Sequence, residues 1–96
     1  MSEVIILEFS GATADHYRDV NKLLGIDYAT GQGDWPPPLQ SHTASFGPSG
    51  LMVVEVWESK EAQAEFMARL GPALAQAGVP QPNRTEWSEL LLHHDA

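Results

Sequence analysis

The 96-residue chain has no cysteine, only five lysines and arginines, and no apolar run near the length of a membrane span. Without thiols there are no disulfides and no thiolate metal sites. Thirteen acidic residues against five basic ones give a net charge of −8 and a pI near 4.6. That balance is opposite in sign to what nucleic acid or an anionic membrane surface attracts. A transmembrane helix needs about 20 consecutive apolar residues, so no membrane association is expected. The opening M-S-E-V-I-I-L-E has no basic stretch and no cleavage site; no signal peptide is expected, and the expected compartment is cytoplasmic. Phosphate-binding loops and nucleotide fingerprints are also missing, since G-A-T at 11–13 and G-Q-G at 31–33 are too short. No cofactor is expected.

What is present is the material of one small domain, 1–96, with a modest core: 43% of residues are hydrophobic. Residues 4–9 (V-I-I-L-E-F) form an apolar, β-branched run broken only by Glu8, which suits a central strand covered on both faces. Thr13 is placed to cap a helix over 14–24, with an apolar stripe of Tyr17, Val20, Leu23 and Leu24 and a stop at Gly25. Residues 26–40 form a long irregular segment, loosened by glycine and stiffened by W-P-P-P. With Tyr28 and Trp35 it is either a cover over a site or a surface loop pinned by one aromatic. Strands at 42–46 and 51–57 flank the turn G-P-S-G. Ser59 caps a second helix with a stripe of Ala62, Phe66, Met67 and Leu70, expected to break at Gly71-Pro72 and resume over 73–77. A rigid connector, V-P-Q-P-N, leads to a last strand at 85–92.

The order β-α-β-β-α-β predicts an α+β, ferredoxin-like antiparallel sheet with both helices on one face. Two helices cover one face of such a sheet, yet strands one and three are apolar on both. A homodimer, with two sheets packed together, is the expected partnership.

The hairpin places the chemistry. If Phe46 pairs with Leu51 across the turn, Ala44 faces Val53 and His42 faces Glu55. Leu51, Val53, Glu55 and Trp57 then share a face by period two, and Glu8 joins them in a matching register of strand one. A carboxylate beside an imidazole orients the ring and strengthens it as a base. His42 and Glu55 are thus the candidate catalytic dyad; the competing reading is a structural pair on an edge strand. Tyr17, Trp35, Trp57, Trp87 and Glu8 are the candidate substrate-binding residues. For Tyr17 and the tryptophans ordinary core packing is the alternative. His42, Glu55 and Glu8 carry suitable donors for a divalent cation, but no metal-site spacing supports one, so no metal is expected.

The run V-V-E-V-W-E-S-K-E-A-Q-A-E-F at 53–66, with L-G-P-A-L-A-Q-A-G-V-P at 70–80, resembles the dimeric α+β barrel superfamily, in its antibiotic-biosynthesis-monooxygenase-like branch. The resemblance implies a ferredoxin-like fold that dimerises as a barrel. It also implies a choice among cofactor-free monooxygenases, polyketide cyclases, haem-degrading enzymes, haem peroxidases and lactone isomerases. Trp57 matches a tryptophan that some members place at the end of strand three. The asparagine and histidine of the haem-degrading members are absent: strand one offers Glu8, Phe9 and Ser10, and the helix offers Met67, Ala68 and Arg69. The asparagine–tryptophan–arginine set of the anthrone-type enzymes finds no match, because Asn21 and Asn83 fall outside the strands and Arg69 in a helix. Two functions are therefore carried forward. One is cofactor-free acid/base chemistry, of monooxygenase or cyclase type, on a hydrophobic aromatic or polyketide-like molecule. The other is a non-catalytic dimer that binds a small molecule or serves a structural or stress role.

Overall fold

The computed structural model describes residues 2–96. Its elements run β1 (Glu3–Ser10), α1 (Ala14–Leu24), β2 (Leu39–Gly47), β3 (Gly50–Trp57), α2 (Lys60–Gln76) and β4 (Arg84–Glu89). The strands make one four-stranded antiparallel sheet in the order β2-β3-β1-β4. This is the expected ferredoxin-like α+β arrangement, and the apolar runs of β1 and β3 occupy its centre.

Register decides which side chains meet the helices. Ile5, Leu7 and Phe9 of β1 lie beside Glu55, Val53 and Leu51 of β3. These alternate residues are buried and pack with Val20 and Leu24 of α1 and Phe66 and Leu74 of α2. The other set, Val4, Ile6 and Glu8 against Val56, Val54 and Met52, points to the face that carries no helix. Glu8 therefore does not join Glu55: the register that would have placed it on that face is not the one formed. It stands opposite Arg84, whose guanidinium reaches its carboxylate at 3.1 Å.

The β2–β3 hairpin closes over a two-residue turn, with Gly47 opposite Gly50. Gly50 sits at φ +126°, and a Cβ there would crowd the Phe9 carbonyl oxygen and lie 2.8 Å from the Gly11 nitrogen. Only glycine lets β3 start against the end of β1.

Both helices begin as their caps require. The Thr13 hydroxyl accepts from the His16 amide, and the His16 ring accepts from the Thr13 amide in return. Ser59 caps α2 through the Ala62 amide. The buried stripes differ from expectation, by one exchange on α1 and more widely on α2, where only Phe66 of the expected set is buried. On α1 Asn21 is buried and Leu23 is exposed; on α2 the buried residues are Gln63, Phe66, Ala73 and Leu74.

The second helix does not break at Gly71-Pro72 but runs continuously to Gln76. Burial of Ala73 and Leu74 beyond the proline holds the last turns down, and a fully buried leucine contributes about 1.5–3 kcal/mol. Pro72 is exposed and cannot donate to the Ala68 carbonyl. Replacing it by Ala should raise stability by about 1–3 kcal/mol, seen as a higher urea midpoint; an unchanged or lower midpoint would mean that the proline is not strained. The last strand ends at Glu89, and residues 90–96 lie outside secondary structure, with Leu91 and Leu92 exposed. No helix among the described residues is long and apolar enough to cross a membrane.

Candidate active site

The site is built from three elements: β2 and β3 supply the sheet wall, α1 lies over it, and the 26–38 loop folds against its open side. The expected hairpin pairing is present, with His42 opposite Glu55. A bulge does occur in β2, between Leu39 and Ser41. It lies beyond His42 and leaves that pair untouched. Its effect is to turn Leu39 toward Trp57 and the core.

His42 Nδ1 lies 2.6 Å from Glu55 Oε2. Trp57, fully buried, donates its indole N–H to Glu55 Oε1 at 3.0 Å. Glu55 is itself buried, and an isolated carboxylate there would be costly. Two partners, one per oxygen, make its position tenable. The carboxylate can only accept, so Nδ1 carries the ring proton and Nε2 is left as an acceptor. Nε2 is taken by the Tyr17 hydroxyl at 2.6 Å. The result is a chain of hydrogen bonds, Tyr17 to His42 to Glu55, braced by Trp57. His42 therefore presents no free nitrogen; Tyr17 is the end of the chain.

Tyr17 and His42 both line a cavity of about 550 Å³ between α1, the loop and β2. Trp35 and Tyr28 of the loop, and Phe46 and Leu51 of the hairpin, complete an aromatic and aliphatic wall. The Trp35 indole lies 4.7 Å from the His42 ring and donates to the Gly31 carbonyl at 2.8 Å. The loop is braced internally by an Ile26–Gly33 bridge and tied to the end of α1 by the Asp34 amide bonded to the Gly25 carbonyl. Gly33, at φ +151°, has no room for a Cβ against the Gly25 carbonyl. The loop is thus a fixed wall that holds Trp35 over His42.

Burial pushes the Tyr17 phenol above its ordinary value, and the Glu55 charge adds to this; the neighbouring Asn21 side chain acts in the opposite direction by favouring the phenolate. Tyr17 rests as a neutral phenol. Stability linked to that phenol is full below pH 10 and falls as pH rises from 10 through the raised value. In a Tyr28→Phe variant the remaining phenol should ionise above its ordinary value of 10 when followed by phenolate absorbance. Ionisation at or below 10 would show that Tyr17 is not desolvated.

Of the expected site residues, the structure brings together Tyr17, Trp35, His42, Glu55 and Trp57. Trp57 does not reach the cavity and acts on it through Glu55. Trp87 faces the helix side opposite Ile5, on the far strand, with the Lys60 ammonium 5.7 Å from its ring centre; it does not line the cavity. Glu8 lies on the other face of the sheet. Asn21 is the residue that the sequence reasoning missed. It is buried one turn beyond Tyr17, and its polar side chain on the apolar stripe of α1 was the available signal. No group of three or more metal-ligating side chains forms among the described residues.

Comparison with known proteins bears on the fold. The chain is similar over its whole length to two solved structures, each of a protein described as a "putative antibiotic biosynthesis monooxygenase". The one from Chloroflexus aurantiacus J-10-fl has a TM-score of 0.66 at 15% identity, covering 99% of this chain and 98% of that one. The one from Deinococcus radiodurans has a TM-score of 0.55 at 20% identity, covering 100% and 98%. No family model and no curated protein matches the chain. At these identities the likeness establishes a shared fold.

Proposed function

We propose that the protein is a cytoplasmic homodimeric enzyme. It would carry out cofactor-free acid/base chemistry, of monooxygenase or cyclase type, on a hydrophobic aromatic or polyketide-like molecule. The observation that carries this reading is the Tyr17–His42–Glu55 chain, with 2.6 Å at each link, ending on an aromatic cavity. An acidic C–H or phenol of the ligand passes its proton to the Tyr17 oxygen as the Tyr17 proton passes to His42 Nε2. The imidazolium so formed is stabilised by Glu55. In the oxygenase form of this chemistry the ligand carbanion reduces dioxygen. A ring methylene becomes a carbonyl, one oxygen atom stays in the product and the other leaves as water. The described proteins of the same fold carry a monooxygenase name, which supports that form.

The test is oxygen uptake with a dihydroxyanthrone, an enolisable aromatic ketone. One dioxygen consumed per quinone formed is the expected result. Binding of the ketone, seen as quenched Trp35 fluorescence, with no uptake and no cyclised or isomerised product would overturn the catalytic reading.

The dimer is supported by the helix-free face, where Val4, Ile6, Met52 and Val54 stand together without cover. Sedimentation at micromolar concentration should give twice the 10.5 kDa chain mass, and Val54→Arg should give the monomer. A monomeric parent protein would sink this part of the proposal.

A further inference from the structure

Behind the Tyr17–His42 link lies a second, much smaller cavity of about 50 Å³, between the helices and the sheet. Tyr17, Asn21, Trp35, His42 and Leu51 line both cavities, so these side chains form the partition between them. The rest of the inner wall is almost wholly apolar, with Phe9, Leu24, Val53, Phe66, Leu74 and Val79 among its residues. We propose that this inner cavity is a dry binding site for dioxygen, the co-substrate of the oxygenase form of the proposed reaction, and the inference rests on that reading.

Size and polarity together select the guest. An apolar protein cavity of about 150 Å³ stays dry and takes benzene or xenon. A space of one third that volume excludes any ring and admits a single diatomic molecule or a water. A water needs two to four polar partners, and most polar atoms of this wall are already engaged. His42 uses both ring nitrogens and Glu55 both oxygens. The Tyr17 hydroxyl is held by His42, and His16 Nδ1 accepts from the Thr13 amide, which leaves the Asn21 amide and His16 Nε2 as the remaining polar groups. A neutral, apolar diatomic loses nothing on entering such a space, whereas water would forfeit its hydrogen bonds. The position also fits the chemistry. A guest here is separated from a ligand in the outer cavity only by the partition that holds the proton relay.

Dioxygen is paramagnetic, so it can be its own probe. Methyl proton relaxation would be measured on the intact protein equilibrated with oxygen and with argon. The expected result is a larger oxygen-dependent enhancement at the Leu24, Val53 and Leu74 methyls than at Leu91 and Leu92, which are 93% and 84% exposed. That enhancement should be lost in Val79→Phe, and also in the milder Val53→Leu should the first variant fail to fold. Enhancement that simply follows exposure would overturn the site. So would water cross-peaks to the cavity methyls. The signature needs no turnover: if it stands while no ketone consumes oxygen, the site survives and the proposed reaction is what fails.

Discussion

Replacing Trp57 by Ala is expected to lower the free energy of unfolding by about 3–5 kcal/mol. Domains of this size hold about 5–15 kcal/mol in total, so the variant should be close to unfolding at room temperature. Trp57 has no exposed surface and packs against Phe66 at a ring separation of 5.6 Å. Its loss opens a void between sheet and α2. It also strips the donor from Glu55 Oε1, leaving a buried carboxylate oxygen short of a partner. Trp57→Phe separates the two effects. It retains most of the packing and loses the N–H, with an expected cost of about 1–3 kcal/mol. Urea unfolding at fixed protein concentration reads both, because the midpoint of the proposed dimer would depend on concentration. An alanine variant within 1 kcal/mol of the parent, about a fifth of even a modest total, would mean that the strand-end tryptophan is not the keystone of this core.

The second large effect is on turnover. Tyr17→Phe deletes one oxygen atom and keeps the ring on the α1 stripe. It should cut the rate of ketone oxidation by about 10²–10⁴-fold while leaving the unfolding midpoint little changed. His42→Ala should produce a loss of the same order. In the proposed relay the two groups act on one path, so the double variant should be scarcely worse than either single one. Multiplying losses would show two independent roles in place of a relay. A Tyr17→Phe enzyme at parental rate would mean that the hydroxyl only anchors the ring.

The hairpin was legible because its register is local. A turn of known length fixes which residues face one another, so the His42–Glu55 pairing could be counted from Pro48-Ser49. Register between β1 and β3 is not local. It depends on how strands distant in sequence dock, and a shift of one residue moves every side chain to the other face; Glu8 was misplaced for that reason. The continuity of α2 through Pro72 was hidden because tertiary burial of Ala73 and Leu74 outweighs a local helix breaker. The Tyr17–His42 contact was illegible for a similar reason. Each residue was visible as a candidate, but the distance between them depends on how α1 settles on the sheet. Asn21 was legible only as an asparagine outside the strands; its burial one turn from Tyr17 also depends on how α1 settles on the sheet.

The bulge at the start of β2 has a consequence for how this scaffold accommodates change. It lies between the 26–38 loop and His42, and one surplus residue is already absorbed there without disturbing the histidine. Insertions or exchanges upstream can therefore dissipate at that irregularity and leave the Tyr17–His42–Glu55 chain in place. On the proposed function, substrate preference would follow Trp35 and Tyr28 as a replaceable cassette, and grafted loops of other lengths would offer a route to new specificities on an unchanged site.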